Sequence, residues 1–138
     1  MNQELLAEAE EILAKALFNE MISVHQLHKV ISANPLRVVL LDVRTAIEHQ
    51  EGVIPRSTLF PCDHNLENRE DTGPFSHSFH ARFRPEAFDP ETRYVLICRS
   101  GPRTAIALAR FLECGLQACE LIGGTIEWAR FFPLVPAA

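Results

Sequence analysis

The chain has 138 residues, 47% apolar and 22% charged, with a net charge of −5. That length fits one domain around one core, and the composition is too apolar for a disordered chain. The acidic balance argues against nucleic acid as a partner, and no apolar run approaches the length of a membrane span. The start, Met1-Asn2-Gln3-Glu4, lacks the basic stretch of a secretory signal. The four cysteines, Cys62, Cys98, Cys114 and Cys119, form no CxxC pair and are read as reduced thiols of a cytoplasmic protein.

Residues 3–19 place Leu5, Leu6, Ala9, Ile12, Leu13, Ala16 and Leu17 on one helical stripe, with Glu11 and Lys15 at the favourable i,i+4 spacing. Ser23-Val24-His25-Gln26 has the pattern of a capping box and opens a second helix, which Pro35 ends. Val38-Val39-Leu40-Leu41 is a short, continuously apolar run, as expected of a strand buried on both faces. A short helix over 45–50 follows and stops at Gly52, and Thr58–Phe60 forms another short strand, closed by Pro61.

Residues 61–90 hold Pro61, Pro74, Pro85 and Pro90 and show little periodicity, which predicts a long excursion with one short helix near 77–84. Tyr94–Cys98 is the next buried strand. Pro102 suits the first turn of a helix over 102–114, packed through Ile106, Leu108, Ala109, Phe111 and Leu112, with Gly115 at its end. Ala118–Ile122 forms a last strand, and Gly123-Gly124 turns into a helix carrying Trp128. This alternation predicts an α/β fold with a parallel sheet and helices on both faces. Sites in such sheets form outside the carboxyl ends of the strands, so Asp42 and Cys98 share one cleft.

Chemistry concentrates in Cys98-Arg99-Ser100-Gly101-Pro102-Arg103-Thr104, where a buried strand meets a helix start through a short loop. Four residues separate Cys98 from Arg103. A loop this short, containing glycine, curls so that successive N–H groups point inward as an anion-binding nest, and the helix adds its positive end. With two arginines nearby, these surroundings favour the thiolate, which is the nucleophilic form of cysteine. A local positive spot on an acidic protein suits a small anion.

This loop resembles the active-site loop of rhodanese-domain sulfurtransferases. Leu41-Asp42-Val43-Arg44 with Glu48 and Gly52 resembles the family's Asp-Val-Arg segment. Ile54-Pro55 resembles its Ile-Pro turn, and Leu121-Ile122-Gly123-Gly124 with Trp128 its closing Gly-Gly-x-x-x-Trp. The likeness runs over about residues 22–132. It implies a rhodanese-like parallel sheet of about five strands over 22–138, with an insertion at 61–90 and an N-terminal helical extension over 1–21. The extension covers the sheet edge or joins two copies as a homodimer, and the insertion rims the site and sets acceptor choice.

The resemblance further implies that Cys98 takes a sulfane sulfur from a small anionic donor such as thiosulfate. It becomes a persulfide and passes the outer sulfur to a thiol or cyanide acceptor, with no metal or organic cofactor. Arg99 is the expected contact for the donor, with Ser100, Gly101, Pro102 and Thr104 completing the loop, and Arg103 braces it. Asp42, Arg44 and Glu48 support the loop: Asp42 by accepting loop N–H groups, Arg44 by pairing with Glu48 at i,i+4. Val53 stands where the family often has His and Arg56 where it often has Gly, which changes the turn geometry expected there.

Three other readings stand beside this one. A dual-specificity phosphatase loop carries five residues between Cys and Arg, a cradle larger than this one. A persulfide carrier fed by a protein donor would use the same loop. A non-catalytic rhodanese-like binding module typically lacks the cysteine that Cys98 supplies. Cys114, Cys119, Trp128 and the 3–19 stripe are read as packing, and Cys62 as an idle thiol in preference to a second thiol that relays sulfur. Cys62, His64, His77 and His80 match no structural zinc spacing.

Overall fold

The computed structural model describes residues 2–62 and 72–137. In chain order its elements are α1 (Gln3–Asn19), β1 (Met21–Ile22), α2 (Val24–Ala33), β2 (Val38–Asp42), α3 (Ala46–Glu51) and β3 (Ser57–Leu59). Then come α4 (Thr72–Arg82), a 3₁₀ turn at Pro85–Ala87, β4 (Arg93–Ile97), α5 (Pro102–Glu113), β5 (Gln117–Leu121) and α6 (Gly124–Phe131). The strands pair in the order β1-β5-β4-β2-β3, and every pair is parallel. The expected α/β architecture of five strands is therefore present.

Alternation along the central strand divides the core. Val95 and Ile97 of β4 face a cluster with Leu40, Leu121 and the buried residues of α1, α2 and α6. Tyr94, Leu96 and Cys98 face the opposite cluster, with Phe75 and Phe79 of α4 and Ala107, Leu108 and Phe111 of α5. Successive residues of a strand point to opposite faces, so a run buried throughout needs helices on both sides. The second face is aromatic: Phe60, Phe79, Phe83, Phe88, Tyr94 and Phe111 form a chain of ring contacts with centroids 4.9–6.1 Å apart.

The start of α2 bears out its sequence signature. Ser23 Oγ accepts from the Gln26 N–H at 3.2 Å, and Gln26 Oε1 accepts from the Ser23 N–H at 3.0 Å. In α1, Ala9, Leu13 and Ala16 are buried against the first cluster, and Glu8 meets Lys29 of α2 at 2.8 Å. Leu5, at the start of the same stripe, stays 51% exposed. At the other end of the chain, Val135 pairs antiparallel with Val53, the two exchanging N–H···O bonds of 2.8 Å. This strap lies over Gly52, where an added Cβ would come within 3.3 Å of Leu134.

Two elements depart from expectation. β1 was not anticipated, because two residues ahead of a capping box carry no periodicity. The helix expected near 77–84 spans Thr72–Arg82 instead. Phe75, Phe79 and Phe83, four residues apart, are all buried on one side of it, which is the signal that marks this helix. Gly73 and Pro74 sit in its first turn, where proline is tolerated rather than disruptive. No helix among the described residues is long and apolar enough to cross a membrane.

Candidate active site

β4 and β2 run side by side with Ile97 opposite Asp42, and the Val43 N–H donates to Ile97 O at 2.9 Å. Asp42 and Cys98 therefore lie at the same carboxyl edge of the sheet. Cys98 follows β4 directly and points to the α4/α5 side, where its side chain is completely buried. The chain then turns through Arg99 and Ser100, both half-buried, to Gly101 at φ +129°, a conformation that suits glycine. Pro102 opens α5 immediately afterwards, at the helix position that needs no N–H partner.

The loop curls as its composition requires. The Gly101 N–H donates to Cys98 Sγ at 3.0 Å, and Thr104 Oγ1 lies 3.8 Å from the same sulfur. Thr104 in turn donates its hydroxyl to Gly101 O at 2.8 Å, pinning the loop to the first turn of α5. The sulfur thus sits against a backbone donor and the start of a helix, an arrangement suited to negative charge.

Arg103 is 1% exposed and reaches Glu48 of α3. Its Nη1 and Nη2 donate to Glu48 Oε1 at 2.7 Å and Oε2 at 3.0 Å, a bidentate pair between side chains that are each 1% exposed. Glu48 also accepts from the Thr45 hydroxyl at 3.2 Å, while Thr45 Oγ1 accepts from the Glu48 N–H at 3.2 Å. Thr45 and Glu48 are the capping box of α3. The expected Arg44–Glu48 pair is therefore not formed: the box fixes Glu48 at the start of α3, and Arg103 reaches it there.

Arg44 instead pairs with Asp42. Its Nε lies 2.9 Å from Oδ1 and its Nη2 2.8 Å from Oδ2, and Nη2 also donates to Gly52 O at 2.8 Å. Asp42 further accepts from the Arg44 N–H at 3.0 Å and lies 2.8 Å from His49 Nδ1. The expected role of Asp42 as an acceptor for loop N–H groups is thus replaced by a network between the end of β2 and α3. Sequence reasoning missed His49, although its place one turn beyond Thr45 carries it back over the end of β2.

Gly123 and Gly124 proved more than a turn. Both have positive φ, +78° and +60°. The Thr125 N–H donates to Cys98 O at 2.9 Å and the Ile126 N–H to Arg99 O at 3.1 Å. A Cβ on Gly124 would collide with the carbonyl oxygen of Cys98 and stand 2.5 Å from that of Arg99. Two glycines in succession at a strand end were the visible signal for this close approach.

Cys119 is fully buried in the first cluster, and burial, with Glu120 beside it, pushes its thiol up to about 12. It packs as a protonated thiol. Cys114 is half-buried at the end of α5, packed against the second cluster, and Cys62 is buried within that cluster alongside Cys98. His77 and His80 are exposed on α4, and His64 lies outside the described residues. Arg56, in the turn after Ile54-Pro55, takes a left-handed φ of +69°, an angle that glycine adopts at less cost.

The family model of the rhodanese-like domain matches residues 23–131. Among solved structures, a protein from Lactobacillus plantarum is 22% identical with a TM-score of 0.62, covering 97% of this chain and 98% of that one. A rhodanese-like domain protein from Staphylococcus aureus is 24% identical with a TM-score of 0.61, covering 86% of this chain and 99% of that one. A protein from Staphylococcus saprophyticus is 27% identical with a TM-score of 0.60, covering 84% of this chain and 98% of that one. No curated protein matches the sequence.

Proposed function

This chain belongs to the rhodanese-like domain family, and we propose that within it the chain is a sulfurtransferase that carries sulfur as a persulfide on Cys98. The observation that carries this reading is the Gly101 N–H at 3.0 Å from Cys98 Sγ, in a loop with four residues between Cys98 and Arg103. The thiolate attacks the outer sulfur of a donor such as thiosulfate. The sulfur–sulfur bond of the donor breaks, sulfite leaves with the electron pair, and a Cys98–S–S⁻ persulfide forms. Cyanide or a thiolate then attacks the outer sulfur and returns Cys98 as thiolate. Each step is a displacement at sulfur and needs a nucleophile and a leaving group rather than a general base.

Backbone donors at the loop and the start of α5 suit the charge on the sulfur in both states. Arg99 and Ser100, half-buried beside it, are the candidate contacts for the donor's sulfite group. The bidentate engagement of Arg103 with Glu48 speaks against the phosphatase reading, which needs that guanidinium on a phosphate. Arg103 serves here to brace the loop, and Asp42, Arg44 and Glu48 support the surrounding turn.

Intact-mass measurement after incubation with thiosulfate tests the reading. Wild-type protein should gain one sulfur atom on Cys98 and lose it to cyanide, and Cys98→Ser should do neither. A Cys98 that alkylates readily yet accepts sulfur from neither thiosulfate nor a persulfide donor would overturn it.

A further inference from the structure

We propose that Gly124 is a positioning residue: through the first turn of α6 it fixes the two peptide planes that follow Cys98, so that their N–H groups face the sulfur side of the loop. The inference rests on the reading of Cys98 as the sulfur carrier. Both peptide units are trans, so in each the C=O and N–H point in opposite directions. The Cys98 and Arg99 carbonyls are turned to α6 by the Thr125 and Ile126 N–H groups, at 2.9 and 3.1 Å. The N–H groups of Arg99 and Ser100 are thereby turned away from α6. The next N–H in the chain, that of Gly101, is the one found 3.0 Å from Sγ.

The physical effect is to keep two carbonyl oxygens from facing the sulfur. A carbonyl aimed into the loop would repel the charge of a thiolate or persulfide, whereas preorganised N–H groups stabilise it without rearranging during reaction. The same two bonds satisfy N–H groups in the first turn of α6 that have no partner within the helix. Helix cap and loop orientation are one device, and it closes only if no side chain stands at position 124.

Gly123 supplies the matched control. It also has positive φ, and a Cβ there would collide with Glu127 Cβ, within α6 rather than against the loop. Gly123→Ala and Gly124→Ala therefore impose similar strain on the same turn, and only the second presses on Cys98 and Arg99. Thr125→Pro removes the N–H that holds Cys98 O while keeping proline in the first helical turn, where it is tolerated.

The test compares these three variants of the full chain with wild type. Thermal stability is read alongside the pH profile of Cys98 alkylation by iodoacetamide and the rate of sulfur loading from thiosulfate. Gly124→Ala and Thr125→Pro should each slow loading about tenfold or more and move the alkylation profile to higher pH. Gly123→Ala, at comparable loss of Tm, should stay within about threefold of wild type, because the loop donors are untouched. The proposal fails if folded Gly124→Ala keeps the wild-type profile, or if Gly123→Ala loses both properties equally. Should Gly124→Ala not fold, Thr125→Pro decides by the same criteria. A wild type that takes up no sulfur overturns the sulfurtransferase reading instead, and the alkylation profiles then judge the clamp independently.

Discussion

Among the described residues, two buried arginine–carboxylate pairs lie near Cys98, and they are built for different tasks. Asp42 and Arg44 are two residues apart in sequence, and their network reaches Gly52 and His49, so it braces the passage from β2 into α3. Glu48 and Arg103 are 55 residues apart and join the start of α3 to the start of α5, directly behind the sulfur loop. Both pairs have been withdrawn from water, and a buried pair is not by itself a source of net stability. The local pair shapes a turn. The distant pair fixes where one element sits relative to another, and the loop follows.

The largest difference should appear on removing each arginine. Arg103→Met strands the Glu48 carboxylate in the interior and should cost about 3–5 kcal/mol in chemical denaturation. Sulfur loading of Cys98 should fall steeply in whatever fraction remains folded. Arg44→Met should cost a similar amount while leaving the loading rate of the folded protein far less affected. Equal losses of loading in the two variants would erase the distinction between brace and turn.

A double replacement sharpens it. Glu48→Leu combined with Arg103→Met removes both charges, and most of the lost stability should return, because apolar residues of similar volume replace buried ion pairs well. Loading should not return with it if orientation is what the pair supplies. A smaller effect is expected at the edge of the local network. His49→Ala removes one contact to Asp42 and should lower stability by about 1 kcal/mol, with loading unchanged.

The smallest effect lies away from both pairs. Burial and the nearby Glu20 carboxylate raise Glu120 above its ordinary value of 4.5. Well below that value both folded and unfolded chains hold the proton, and no penalty exists. As pH rises through it the unfolded chain ionises first, and stability is lost. Glu120→Gln should therefore raise Tm by about 1 °C at neutral pH and leave it unchanged at pH 3. A gain that persisted at pH 3 would point to packing instead of charge.

Sequence alone exposed the parts of the fold governed by local rules. The 3.6-residue stripe of α1 gave Gln3–Asn19 its limits, and Ser23 with Gln26 gave α2 its start. The Cys98 loop was legible because cysteine, glycine and proline at fixed offsets constrain the backbone strongly. The exposed Glu11–Lys15 pair of α1 was legible from its spacing, but the partners of the buried charges were not. An i,i+4 rule pointed Arg44 at Glu48, but Thr45 already held Glu48 in a cap, and the competing partner came from 55 residues away. The two glycines were visible as a turn, yet the reason for Gly124, two carbonyls crossing from the end of β4, exists only once β4 and α6 have met.

The zero exposure of Cys98 has a kinetic meaning. A nucleophile with no open surface reacts only during excursions in which its wall opens, so its observed rate is a product of opening frequency and intrinsic reactivity. At low reagent concentration, modification of Cys98 should rise in proportion to reagent. At high concentration it should level off at the opening rate, the same plateau for any small reagent. Cys98 would then behave as a timed gate, and the height of that plateau would measure how often the loop lends its sulfur to the outside.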